Sequence, residues 1–153
     1  MQAETRQMRI VDPILMGFRP HPKAKSLGEL AMHIVTLQGS VAELSQNDIA
    51  DASPLPPPDV QATSRQEILA AFTQSQNTAK AIVNSTDDEA AMAEWKLVKG
   101  DVTLWVSPRI AFWRSIMLDH YYHHRGQLAA YLRELDVPLP SIYGPSADTN
   151  PFA

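Results

Sequence analysis

The chain contains no cysteine, which excludes disulfides and every thiolate-ligated metal site. Any thiol chemistry would have to use a thiol brought by a substrate. There is no basic excess either. Thirteen Lys and Arg stand against 17 Asp and Glu, a formal net charge of -4, so the concentrated positive surface of a nucleic-acid binder is missing. No apolar run approaches the length that crosses a bilayer. Met1-Gln2-Ala3-Glu4 does not read as a signal peptide, and the expected location is the cytoplasm. Internal repeats are lacking too. What remains is 153 residues, 44% hydrophobic and 20% charged, the make-up of one globular domain spanning 1–153.

The hydrophobic periodicity is helical over most of the length. Met1 to about Val11 reads as a short first helix that ends at Asp12-Pro13. The stretch from Phe18 to Lys23 is held extended by Pro20 and Pro22. Ser26-Leu27-Gly28-Glu29 has the form of a capping box. The helix it opens puts Leu30, His33, Leu37, Val41 and Leu44 on one stripe. A proline cluster at Pro54, Pro56, Pro57 and Pro58 makes a stiff connector. Ser64-Arg65-Gln66-Glu67 then repeats the capping pattern ahead of a stripe of Ile68, Leu69, Phe72, Gln76, Ala79 and Val83.

From Trp95 to Val106 two short β-prone runs flank Lys99-Gly100-Asp101, as a small hairpin or an irregular crossover; the crossover is the preferred reading. Ser107-Pro108 suits a helix start, with serine as N-cap and proline in the first turn. The final helix is expected to run to about Leu135 and stop at Asp136-Val137-Pro138. Its stripe is Ile110, Trp113, Met117, His120, His124, Leu128, Tyr131 and Leu135. Helices in this order, with one long connection, suggest an all-α, four-helix bundle.

Three of the five histidines fall within Asp119-His120-Tyr121-Tyr122-His123-His124-Arg125-Gly126-Gln127. Residues four apart on a helix stack on one face, so His120 and His124 can aim at a single point, and His33 on another buried stripe is the leading third ligand. A lone histidine on an apolar stripe is more often a hydrogen-bonded core residue. By spacing alone, metal binding and a structural role stand about even. His123, three residues from His120, competes with His124 but lies to the flank of the stripe. His21 falls in the proline-rich approach and is expected to be exposed. Asp119 could orient a histidine or pair with Arg125, Arg125 could bind an anion or an acidic neighbour, and Gln127 could bond at the site's edge. Gly126 reads as a place of close helix packing.

The run from Asp119 to Gln127, the tail from Val137 to Asp148, and Phe18 to Lys23 followed by Leu27 to His33 resemble the DinB/YfiT-like family. That family shares its name with the damage-inducible DNA polymerase but is distinct from it. The resemblance covers most of the chain, although Ala50 to Val106 carries little that is diagnostic. It implies an up-down-down-up four-helix bundle and a divalent metal held by His33, His120 and His124. It also implies a homodimer, the tail 137–153 packing over the bundle, and for several relatives thiol-dependent transferase or isomerase chemistry. One departure is a first helix roughly half the family's usual length, which implies a truncated N-terminus or another surface, such as a partner chain, over the exposed core.

Three neutral imidazoles would leave an open coordination position, as catalytic sites do. Zinc or nickel leads, and iron, manganese and copper are compatible. The open position could activate water for hydrolysis or a low-molecular-weight thiol for transfer. The sequence therefore predicts a metal-dependent transferase or hydrolase acting on a small molecule, with no catalytic acid or base assigned. The rivals are a non-catalytic metal-binding stress or interaction protein and a helical dimerisation module with structural histidines.

Overall fold

A computed structural model describes residues 13–53 and 59–152. The expected first helix and the proline cluster lie outside these residues. In chain order the elements are α1 (Pro13–Met16), α2 (Leu27–Leu44), β1 (Ile49–Asp51), α3 (Arg65–Ser85), α4 (Asp88–Met92), β2 (Glu94–Lys99) and β3 (Val102–Pro108). The last helix then comprises α5 (Arg109–Phe112), a π-helical segment Trp113–His120 and α6 (Tyr121–Glu134).

The capping box of α2 is present. Ser26 Oγ accepts from the Glu29 amide at 3.1 Å, and the Glu29 carboxylate accepts from the Ser26 amide at 2.8 Å. At α3 only half of the pattern forms. Ser64 Oγ accepts from the Glu67 amide at 3.2 Å, but the Glu67 carboxylate turns to Thr63. The two helices approach closely at Gly39, whose amide donates to Ser75 Oγ at 2.8 Å. A Cβ on Gly39 would lie 2.9 Å from Ser75 Cα, so only glycine fits that crossing. The contact rests on small residues, and Ser75 and Ala79 are the buried positions of α3. Leu69, Phe72 and Val83 of its expected stripe are exposed.

The all-α expectation is wrong. A three-stranded mixed sheet in the order β1-β2-β3 closes one end of the helices. β2 and β3 form an antiparallel hairpin, with Trp95 opposite Ser107 and a bulge between Leu97 and Val98, while β1 pairs parallel to β2. The turn is made by Gly100 at φ +56, a left-handed conformation that glycine adopts without a steric penalty. The β-branched and aromatic residues of both runs explain the strands. What tips a crossover into a sheet is tertiary: Trp95 is fully buried and stacks on Phe112 with ring centroids 3.9 Å apart, and Trp105 meets the same ring edge-on. Strand β1 is only 3 residues long, too short to show a period.

Arg109 ties this end together. Its buried guanidinium donates to Ser45 O at 2.8 Å, to Ala90 O and to Asp48. Trp113 Nε1 donates to Ser45 Oγ at 2.7 Å. The helix thus begins at Arg109, two residues after the serine expected to cap it. Its far end is a Schellman motif: Asp136 takes φ 55, the Val137 amide donates to Leu132 O at 2.9 Å and the Asp136 amide to Arg133 O at 3.1 Å. Beyond it Val137 is buried, and Asp148 folds the tail back onto Arg133 and the Leu139 amide.

A candidate metal centre between two helices

The inward-facing side chains of the last helix keep the expected stripe through the π-helical segment Trp113–His120. The α-periodic stripe fails only at its start, in the α-helical turn before that segment. Ile110 is 47% exposed, whereas Arg109 and Phe112 take the inward places. From Trp113 through Met117 to His120 and His124 the stripe holds.

His120, the last residue of the π segment, and His124, in the first turn of α6, face His33 on α2. The three rings lie together, with centroids 4.5 Å apart for His33–His124, 4.5 Å for His120–His124 and 5.6 Å for His33–His120. One nitrogen from each falls within 4.8 Å of the other two. His33 Nε2 is buried and has no hydrogen-bond partner among the described residues. His120 Nε2 and His124 Nε2 approach to 2.6 Å. Two imidazole nitrogens that close need a proton or a cation between them. His124 Nδ1 stands 2.7 Å from Gln127 Oε1. Since an amide oxygen only accepts, Nδ1 carries the hydrogen and Nε2 keeps its lone pair for a ligand. Gln127 thereby does for His124 what carbonyl and carboxylate partners do for metal-bound histidines generally.

These residues fit a divalent cation. A lone buried nitrogen, a close pair and a fixed tautomer converge on one point, and tetrahedral zinc would want its nitrogens about 3.4 Å apart at the usual bond length. A small ring adjustment supplies that. Three histidines are one ligand short of a closed tetrahedral set, so an ion held there would keep a position for an exogenous ligand.

All three imidazoles are biased toward the neutral, ligand-ready form. Burial, then the charges of His124, Lys25 and His120, push His33 down to about 4. Burial likewise lowers His120, helped by His124 and His123. His124 is lowered mainly by burial, against the opposing pull of Gln127. In the metal-free protein this has a definite sign. His33 binds fewer protons folded than unfolded between about 4 and the ordinary 6.5, so its contribution to stability is whole above that window and drains away as pH falls through it. The unfolding free energy of metal-free protein, measured by urea titration, is expected to fall between about pH 7 and about pH 5 by about 1–2 kcal/mol after allowing for the ring's partial exposure. His33→Gln should flatten that fall. An unchanged slope in the variant would show the burial of His33 to be irrelevant.

The remaining sequence candidates are placed as follows. His123 is exposed and stays outside the three-nitrogen group, 4.9 Å from the His124 ring. His21 is exposed and accepts from the Lys23 amide. Asp119 is exposed and does not pair with Arg125, whose guanidinium lies 4.9 Å from the centroids of both Tyr122 and Tyr143. Gly126 is not a packing point, because a Cβ there would meet nothing within 4 Å among the described residues. Tyr131, on the expected stripe, donates to Lys25 O at 3.2 Å and meets Phe18 edge-on. A cleft of about 540 Å³ near Asp48, Glu89 and Arg109 lies at the sheet end, about 18 Å along α2 from His33 at the helical rise.

The sequence pattern of the DinB superfamily matches residues 7–128, and the chain belongs to that superfamily. Two solved structures share its fold, both of DinB-like proteins. One, from Bacillus cereus ATCC 10987, is 20% identical over 92% of this chain and 89% of its own, with a TM-score of 0.65. The other, YjoA from Bacillus subtilis, is 20% identical over 91% of this chain and 89% of its own, with a TM-score of 0.64. Comparison with curated proteins found no match. Among the described residues no helix is long and apolar enough to cross a membrane.

Proposed function

We propose that this protein binds one divalent metal ion through His33, His120 and His124 and uses the ion's open position for thiol-dependent transfer or hydrolysis. The observation that carries the reading is His33 Nε2, buried without a partner and facing the close His120–His124 pair. A buried polar atom left unpaired costs about 1–3 kcal/mol, a cost that a bound cation removes. A divalent ion there would lower the pKa of a thiol or water brought to it. The chain's own part is to present three neutral nitrogens, to hold the His124 tautomer through Gln127, and to leave one side free of protein ligands. With no cysteine in the sequence, the thiol is a co-substrate.

Elemental analysis of protein purified without a nickel column should find about one divalent ion per chain. The d–d spectrum of cobalt-substituted protein should then shift on adding mercaptoethanol. A protein that takes no metal on reconstitution refutes the reading. One that takes cobalt but stays spectrally silent toward thiols is a metal-binding protein without the thiol-dependent chemistry.

A further inference from the structure

Two stretches of the sequence that the metal centre leaves unexplained meet at one residue. Arg125, in the histidine-rich run, has its guanidinium carbon 4.9 Å from the ring centroid of Tyr122, about one turn back on the same helix. The ring of Tyr143, in the tail, lies at the same distance of 4.9 Å. The tail is folded to bring Tyr143 there. Ser141 closes a turn around it, its Oγ donating to Gly144 O at 2.6 Å and its amide to Thr149 Oγ1 at 2.7 Å. Burial is not what the arrangement gains, because Tyr143 stays 82% exposed and Tyr122 44%.

The sequence offers Arg125 an anion or an acidic neighbour, and among the described residues the neighbour is missing. Neither Asp119 nor any other carboxylate forms an ion pair with it, and its guanidinium makes no hydrogen bond there. The phenol oxygens of Tyr122 and Tyr143 are likewise without a hydrogen-bond partner among those residues. A ring face answers a cation's charge but supplies no oxygen to the N–H groups of a guanidinium. The cluster thus gathers guanidinium and hydroxyl donors with no acceptor of its own. The rings also hold the arginine in place, so less rotamer freedom is lost when a ligand binds.

We infer that Tyr122, Arg125 and Tyr143 form an oxyanion site, which takes a phosphate or carboxylate group carried on an aromatic frame. The charged group sits on the Arg125 fork and the frame lies against the exposed tyrosine rings. Arginine's planar fork matches either oxyanion with two parallel hydrogen bonds, and ring faces left in solvent suit a flat apolar neighbour. Arg125 follows His124 but projects about 100° further round the helix. The site is therefore separate from the three histidines and stands whether or not they hold a metal.

The test is an NMR titration of isotope-labelled protein with phenyl phosphate, benzoate and phenol, followed at the Arg125 Nε–H and the Tyr143 amide. At least one of the two acids should shift both resonances saturably, and the tighter of them names the oxyanion. Phenol, which lacks the charge, should bind at least about tenfold more weakly, the scale of hydrogen bonds to a charged group. Arg125→Met, followed at the Tyr143 amide, should weaken the acids by the same factor. Tyr143→Ala, at a position too exposed to threaten the fold, should weaken them about two- to fivefold. No saturable shift in the natural sequence at tens of millimolar ligand overturns the inference. Phenol binding as tightly as the acids would reduce the site to a ring contact and overturns it as well. Binding that survives Arg125→Met places the anion elsewhere, with the same consequence.

Discussion

Replacing His33 by alanine is expected to weaken divalent-metal binding by more than about 100-fold, because loss of a mere orienting partner of a ligand already costs about 10–100-fold. His33 is the ligand supplied by the second helix. Without it the His120–His124 pair sits on a single helix with no nitrogen opposite. Gln127→Ala should fall in the lower range, since it frees the His124 ring to change tautomer but removes no ligand. His123→Ala should change affinity little, as its exposed ring lies outside the three-nitrogen group. Competition with a chromophoric chelator at fixed pH measures all three. Equal losses at His33 and His123 would mean that the ligands were misassigned. Because the variants sit on a partly exposed surface, circular dichroism should show folded protein in each case.

The site was more legible in the sequence than the scaffold around it. Histidines at four-residue spacing, in register with an apolar stripe, specify one face of one helix; His33 on a second stripe specifies its counterpart. Both statements depend on local periodicity, which the sequence displays directly. The sequence also offers Gln127 as a hydrogen-bonding residue at the site's edge, since it lies three residues beyond His124 and therefore on the adjoining face. Ile110 leaves the stripe because Arg109 and Phe112 take the inward places of the helix's first turn, a tertiary effect that no α period displays. Arg109 escaped notice for a similar reason: a charged residue becomes a buried anchor only when Ser45, Asp48 and Ala90 converge on it.

The sheet was the main misreading, and the residue that causes it makes the second large prediction. Trp95→Ala should destabilise the protein by about 3–5 kcal/mol, the usual cost of emptying a buried aromatic site. Trp95 is completely buried, stacks on Phe112 and stands in the middle strand, so its loss removes the contact that holds the hairpin against the helices. Yet its Nε1 has no partner among the described residues, and an unpaired buried N–H is itself a cost of about 1–3 kcal/mol. Trp95→Phe keeps the stack and deletes that N–H, so the relief offsets much of the smaller cavity and the net change should stay within about 1 kcal/mol. Urea unfolding of the two variants under matched conditions measures the difference. The metal content of folded Trp95→Ala protein should be unchanged, because the sheet lies at the opposite end of α2 from His33. A large loss in Trp95→Phe as well would mean that the indole N–H is satisfied in solution; a small loss in Trp95→Ala would mean that the sheet is an ornament on a core the helices form alone.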